Sequence, residues 1–448
     1  MIDFRRPAGH RHVPDGAARI GRSGNRRLLP ILVLLAAALL ATVVGVVTLW
    51  PDGAGRAAVA EGAGQVGLAS ERFSAEVQSV REGPCSYSTA ENTQNCRTII
   101  LVPSSGPDAH TPVTLPEFNL EQSGYVPDPA PGDRIIVGYE ASTGFYFYAD
   151  ADRRATLWVL AGVFAVFVLV LGRFRGLRSL VSMVLTGLVL VGFVAPSILD
   201  GHAPLLVAVV AASVIAFAGF YLTHGPGPET TIALAGTLGS LGLTLGISAL
   251  FFGAARFTGV ATEEGAILSF VSGGIDLSSL LLAGAMIGAL GALDDVTITQ
   301  AATVGELRRA DPTMRAPKLI AAGLRVGRAH IASTINTLLL AYVGAALPLL
   351  LLFAVSDQSW GMVANSELIA VEIARTLCGS IGLVAAVPLT TALAAVLGGE
   401  GRPGPAGGGP EVRAGGSSPR GTLRRRRAEG SRRPASWDDF TPREDLDF

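Results

Sequence analysis

Apolar runs long enough to cross a bilayer recur along this chain, separated by short polar stretches. A crossing helix needs about 20 apolar residues to cover roughly 30 Å of hydrocarbon. Eight segments meet that length or approach it: Leu28 to Trp50, Leu157 to Leu171, Leu180 to Leu199, Pro204 to Leu222, Thr231 to Phe252, Leu277 to Thr299, Ile331 to Val355 and Ile369 to Leu397. The second is the shortest. Unpaired backbone groups in lipid cost several kcal/mol each, so the spans are expected to be helical. Ala266 to Val271 is too short to cross and reads as an interfacial or re-entrant piece.

Between the first two spans, over residues 51–154, the pattern changes to that of strands. Phe73 to Arg81 alternates, Arg97 to Val102 and Arg134 to Tyr139 are β-branched runs, and Gly144 to Ala149 is aromatic and alternating. Proline and glycine clusters at Ser104 to Asp108 and Pro127 to Asp133 separate them, as turns do. The expectation is a small barrel or sandwich, OB-like in outline. Cys85 and Cys96 lie in a polar loop joining two of these strands. A disulfide is expected if the segment faces an oxidising compartment, with two free thiols as the alternative. Cys378, inside the last span, reads as a small buried hydrophobe.

Composition agrees with the spans. The chain has 448 residues, 49% hydrophobic and 16% charged, well below the roughly 25% charge of a soluble domain. A cytosolic enzyme, a secreted disulfide scaffold and a disordered chain are excluded. The net charge of -1 conceals segregation. Arg5, Arg6, Arg11, Arg19, Arg22, Arg26 and Arg27 precede the first span; Arg173, Arg175 and Arg178 follow the second; Arg308, Arg309, Arg315, Lys318, Arg325 and Arg328 follow the sixth; Arg424 to Arg427 lie in the tail. Basic loops mark the cytoplasmic side, which puts both termini there and residues 51–154 outside. An Ala58, Val59 and Ala60 cleavage site after a signal peptide is the alternative for the first span, though its apolar run is long for one. The tail from residue 399 has no apolar period and is expected to be disordered; its arginine run suits anionic lipid better than nucleic acid.

The sixth span carries the chemistry. Gly284, Gly288, Gly291 and Asp295 are spaced by four, three and four, which predicts one helix stripe and a close contact with Asp295 in it. Asp294 lies about 100° around the helix, and Thr297, Thr299 and Gln300 continue the polar end. Ser333, Thr334, Asn336 and Thr337 open the next span at a similar depth. A carboxylate with amide and hydroxyl neighbours at a membrane mouth suits a cation or a proton; a hydrated helix end is the plain alternative. Glu372 and Arg375, three apart, can pair along their helix, within the membrane or at its interface. Gly239, Gly242 and Gly246 form another small-residue stripe, and Pro348 and Pro388 are candidate kinks. With Lys318 the only lysine there is no phosphate-binding loop, and no zinc-protease or C-x-x-C motif occurs. No enzyme activity, cofactor or resident metal is expected.

Three stretches, GAMIGALGALDDVTITQ (284–300), GLRVGRAHIASTINTLLLAYVGAALPLLLLF (323–353) and SELIAVEIARTLCGSIGLVAAVPLTTALAA (366–395), resemble the YibE/F family of bacterial multipass membrane proteins. The GDRIIV segment after the strand-rich region fits as well. The resemblance covers roughly residues 73–397. It departs at Ala329, which follows Gly327 and Arg328 where the family has an acidic residue. The reading is then an all-α polytopic bundle of about eight spans in the bacterial cytoplasmic membrane, with a small extracytoplasmic β domain. The bilayer is its partner, nucleic acid is not, and the oligomeric state is open. Two functions are open: a permease for an ion or small solute working through Asp295, or a non-transporting scaffold or sensor whose outer domain binds a ligand or envelope partner.

Overall fold

A computed structural model describes residues 22–53, 70–89, 93–121, 126–272, 274–355 and 358–398, together with residues 55, 59 and 62. The side chains of residues 22–27 are not among those described. The basic residues before Arg22, the Ala58 and Ala60 positions and the tail from residue 399 lie outside them.

The strand-rich region forms one antiparallel sheet of β1 (Glu71–Pro84), β2 (Asn95–Pro103), β3 (Val113–Thr114), β4 (Phe118–Asn119), β5 (Arg134–Glu140) and β6 (Phe145–Ala151). The order is β3-β2-β1-β5-β6, with β4 also on β2. Period-two alternation puts Ala75, Val77, Ile99, Leu101, Ile135 and Val137 on one face, each almost fully buried. Val77 opposite Leu101 and Ala75 opposite Ile135 set the register. The expected barrel does not close among the described residues, because β3 and β4 are two-residue strands and β6 pairs only with β5. The sheet nevertheless curls: the rings of Phe118 on β4 and Tyr148 on β6 lie 6.5 Å apart, edge to face. Cys85 and Cys96 form a disulfide that joins the end of β1 to the start of β2.

The helices are α1 (Arg22–Thr48), α2 (Arg154–Leu199), α3 (Pro204–His224), α4 (Pro228–Ala255), α5 (Glu263–Val271), α6 (Leu277–Ala310), α7 (Ala316–Ala345), α8 (Leu347–Val355), α9 (Trp360–Asn365) and α10 (Glu367–Leu397). Six are long and apolar enough to cross a membrane, or seven with the bent pair α7 and α8 as one span. Along α2, Trp158, Val159 and Leu171 are each more than 60% exposed. An uncovered apolar surface of that kind belongs against lipid, and the chain is a membrane protein.

Two spans differ from expectation. Leu157 to Leu171 and Leu180 to Leu199 fall within the single stretch α2, whose 46 residues would reach about 69 Å if straight. It is not straight. Arg173 has φ 50° and ψ −128°, and a side chain on Gly176 would collide with the carbonyl of Val168 eight residues back. The chain therefore doubles back at the basic residues expected to form a loop. The seventh span begins at Ala316 rather than Ile331 and breaks by 62° between Ala345 and Leu347. Pro348, lacking an amide hydrogen, sits in the first turn after that break. By contrast α10 runs through Pro388 as one helix. The short stretch at Ala266 to Val271 belongs to the nine-residue α5.

Helices α4, α6 and α10 form the centre, with α3 and α7 against them. The sheet is joined to the end of α1 and the start of α2, and this sheet-side end also holds the start of α6, where Asp276 accepts from the amides of Ser278 and Ser279. Glu367, opening α10, accepts at 2.7 Å from the amides of Thr258 and of Gly259. Gly259 has φ +79° and lies so close to the Leu277 carbonyl that no side chain fits. At the opposite, tail-side end Arg309 pairs with Glu229 and Glu306, and Arg308 donates to the carbonyls of Ala395 and Gly398.

Of the expected glycines, Gly288 and Gly239 come close to side chains, 2.9 Å from the Tyr342 hydroxyl and 3.1 Å from Leu389, while Gly242, Gly246 and Gly291 meet nothing within 4 Å, and the tightest helix contacts are made by others. A methyl on Gly382 of α10 would collide with Thr244 of α4, and one on Gly236 of α4 with Thr390 of α10. Gly239, Gly242 and Gly246 lie on the exposed face of α4. Gly382→Ala should therefore destabilise by about 1–3 kcal/mol, whereas Gly291→Ala, with nothing within 4 Å, should be near neutral. Thermal unfolding in detergent separates the two; equal effects would contradict this packing. Asp276→Ala should cost about 1 kcal/mol at neutral pH. Hydrogen bonds from Ser279 and Ser278 hold the Asp276 carboxyl below its ordinary range. Its contribution is then present above the unfolded pKa and lost as pH falls through the lower folded value. The Tm gap from wild type should close in strong acid, and a gap constant with pH would count against the cap.

Candidate functional site

The buried face of α6 carries Leu282, Met286, Ala289, Leu293, Thr297, Gln300 and Val304, spaced by three and four. Gly284, Gly288, Gly291 and Asp295 lie on its exposed face instead. The expected burial of Asp295 in a helix contact is thus overturned. The glycine stripe is real in spacing, but the larger apolar side chains on the opposite face of the helix claim the interior. Asp295 stands within electrostatic reach of His224 at the end of α3 and has its carbonyl taken by Thr299 at 2.8 Å. Asn336 and Thr337 on α7 are exposed as well, Thr337 donating to Ser333 of its own helix at 3.0 Å. They are not gathered round an acid.

Asp294 is the carboxylate that turns inward. It is half-buried, and its Oδ1 is shielded from solvent without a hydrogen-bond partner. One turn further along α6, Thr297 is fully buried and meets Thr237 of α4, hydroxyl to hydroxyl, at 2.5 Å. Thr297 donates to the Asp294 carbonyl at 3.1 Å. A hydroxyl has one proton, so Thr237 is the donor between the two threonines. The helices are antiparallel: Thr237 meets Thr297, and Glu229, two turns before Thr237, meets Gly305, two turns after Thr297. Moving one turn the other way brings Ser240 to the level of Asp294. Ser240 is fully buried and its Oγ also lacks a partner.

Gln300 closes the tail-side edge of this cluster. Its Nε2 donates to the Gly323 carbonyl at 3.0 Å and to Thr391 Oγ1 at 2.7 Å, so one amide ties α6 to α7 and α10. Gly323 and Gly327 admit it: a methyl on Gly327 would stand 3.0 Å from Gln300 Oε1. Thr390, beside Thr391, is buried with an unpartnered hydroxyl. Asp294, Thr297 and Gln300 are thereby assembled with Thr237, Ser240 and Thr390. The last three were missed in the sequence. For Thr237 and Ser240 the signal is the spacing Thr237, Ser240, Thr244, Ser248, a hydroxyl stripe on α4 beside its glycines.

About 15 Å from Asp294 along α6, towards the sheet-side end, a second charged group sits half-buried beside Gly284. Arg375 Nη1 donates to Glu372 at 2.7 Å, and the two side chains are 20% and 30% exposed. The pair expected on α10 is formed. Gly288, one turn from Gly284 on α6, would place a methyl 2.9 Å from the Tyr342 hydroxyl of α7. On the sheet, a cavity of about 320 Å³ is lined by Asp128, Asp133, Arg134, Tyr148 and Asp152 among others. The Arg154 guanidinium holds the Asp152 carboxyl far below the usual range. Cys85, Cys96 and Glu117 converge, but the disulfide already takes both sulfurs.

Removing the amide that ties three helices should be costly. Gln300→Leu strips the Thr391 and Gly323 acceptors of their donor and is expected to lower stability by about 1–3 kcal/mol. Thr303→Val, half-buried and bonded only to its own helix, should change it by less than about 0.5 kcal/mol. Paired melting curves decide it, and a Gln300→Leu protein as stable as wild type would contradict the tie.

The family model described as YibE/F-like protein matches residues 160–399, from α2 to the end of α10. No curated protein and no solved structure matches the chain.

Proposed function

Because the chain belongs to the YibE/F-like family, we propose that it is a multipass permease of the bacterial cytoplasmic membrane that moves an ion or small solute through the α4, α6 and α10 contact. The observation that carries this reading is the inward carboxylate oxygen of Asp294, shielded and without a donor, level with the unpartnered hydroxyl of Ser240. A carboxylate taken from water without compensation costs several kcal/mol. It is stable there when it holds a proton or a cation, and the hydroxyls of Ser240, Thr237 and Thr297 at the same α4–α6 contact would share the load. The acid at the centre is Asp294, with Asp295 and His224 on the exposed side as its approach.

The topology follows the charges. Arg173, Arg175, Arg178, Arg308, Arg309 and Arg315 belong to the tail-side end, and the sheet-side turns hold few basic residues. This supports a cytoplasmic tail-side end, an extracytoplasmic sheet and both termini inside. The hairpin at Arg173 supports reading α2 as two crossings, and with the bent α7 and α8 as one span the total is eight. A disulfide in the sheet fits an oxidising compartment.

A second reading has its own observation, the cavity bordered by Asp128, Arg134 and Tyr148 on the sheet. It would make the chain a membrane-anchored sensor or scaffold with no transport. Flux distinguishes the two. In liposomes of the purified full chain, proton and small-ion flux is expected, with Asp294→Asn lowering it at least tenfold while Asp295→Asn retains most of it. No flux of any probe in well-folded wild type, or equal loss in both variants, overturns the Asp294 reading.

A further inference from the structure

We propose that Arg375, Tyr342, Gly284 and Gly288 form an anion-binding site in the groove between α6, α7 and α10, for the carboxylate or phosphate group of a small solute or a lipid. A guanidinium offers two edges to an oxyanion. Its end-on Nη1 is occupied by Glu372 at 2.7 Å. The side-on edge is made of Nε and Nη2, two parallel N–H donors matched to the two oxygens of a carboxylate or phosphate. Nε is shielded from solvent with no partner. Nη2 points at Gly284 of α6, 4.0 Å from where a side chain would begin. One edge of the fork is held and the other is free.

The notch in front of that edge is made by absence of side chains. Gly284 and Gly288 are one turn apart on α6, and both lie on its exposed face. Tyr342 sets its hydroxyl over Gly288, 2.9 Å from a would-be methyl, and it stands within electrostatic reach of both Arg375 and Glu372. It supplies a third donor from another helix. Glu372 takes Nη1 alone, which leaves the Nε and Nη2 donors of the same guanidinium for an anion. Glu372 then has a positioning role, fixing the plane of the fork.

This site lies apart from Asp294 and is tested by binding at equilibrium, so a failed flux experiment leaves it standing. Thermal unfolding of the full chain in detergent is followed against added acetate or inorganic phosphate, with chloride at matched ionic strength as reference. A second arm compares nanodiscs of phosphatidylcholine alone with nanodiscs containing phosphatidylglycerol. A saturable rise in Tm with acetate or phosphate identifies a soluble anion; a rise confined to phosphatidylglycerol identifies a lipid headgroup. In either case the rise should be lost in Arg375→Lys, which keeps the charge and loses the fork. It should also be lost in Gly284→Val, which fills the notch and leaves Arg375 and Glu372 in place. No rise beyond chloride and phosphatidylcholine overturns the proposal. A rise of the same size in both variants overturns it too.

Discussion

The approach of α4 to α10 is the contact on which the rest of the bundle depends. In lipid, apolar side chains gain nothing by leaving the solvent for each other, so helices associate through close packing and hydrogen bonds. Gly236 against Thr390 and Gly382 against Thr244 bring the two backbones near at two points, one on each helix. That geometry turns the hydroxyls of α4 into the interior. Thr237, Ser240, Thr244 and Ser248 are buried because the glycines opposite or beside them leave room. Larger residues at Gly236 or Gly382 would move the helices apart and admit lipid or water between them.

Everything polar inside the tail-side half follows from that placement. Helix α6 joins the pair with Thr297 on Thr237, and Gln300 reaches across to Thr391 and to the Gly323 carbonyl. Asp294 is carried to the same interface by the helical period alone. Satisfied groups here lock the three helices together, while Asp294, Ser240 and Thr390 keep unpartnered oxygens among them. Buried polar networks are costly when incomplete, and an incomplete one in a membrane protein is where an ion or proton is expected to bind.

Much of this was legible in the residue pattern. The β-branched and aromatic alternation located β1, β2, β5 and β6 to within a few residues, and the apolar runs located the long helices. The two-residue strands β3 and β4 carry no periodic signal, so the failure of the barrel to close could not be read. The helix face was the harder question. On α6 a stripe of glycines with Asp295 and a stripe of Leu, Met and Thr with Asp294 adjacent to it have the same period and lie on nearly opposite faces. Spacing cannot tell which faces inward, because small residues serve equally as contacts and as open surface. The neighbours decide it: α4 offers hydroxyls at the level of Asp294, and only the packed structure brings those helices together. The break at Ala346 was half legible, since Pro348 marks the place and not the angle.

The central claim is that Asp294 faces the closed interface while Asp295 faces outward. It is tested most directly by the rate at which a small hydrophilic thiol reagent modifies Asp294→Cys and Asp295→Cys, each in a Cys378→Ser background with the Cys85–Cys96 disulfide intact. The account predicts rapid reaction at position 295 and reaction at least tenfold slower at 294. Equal rates, or faster reaction at 294, would contradict it.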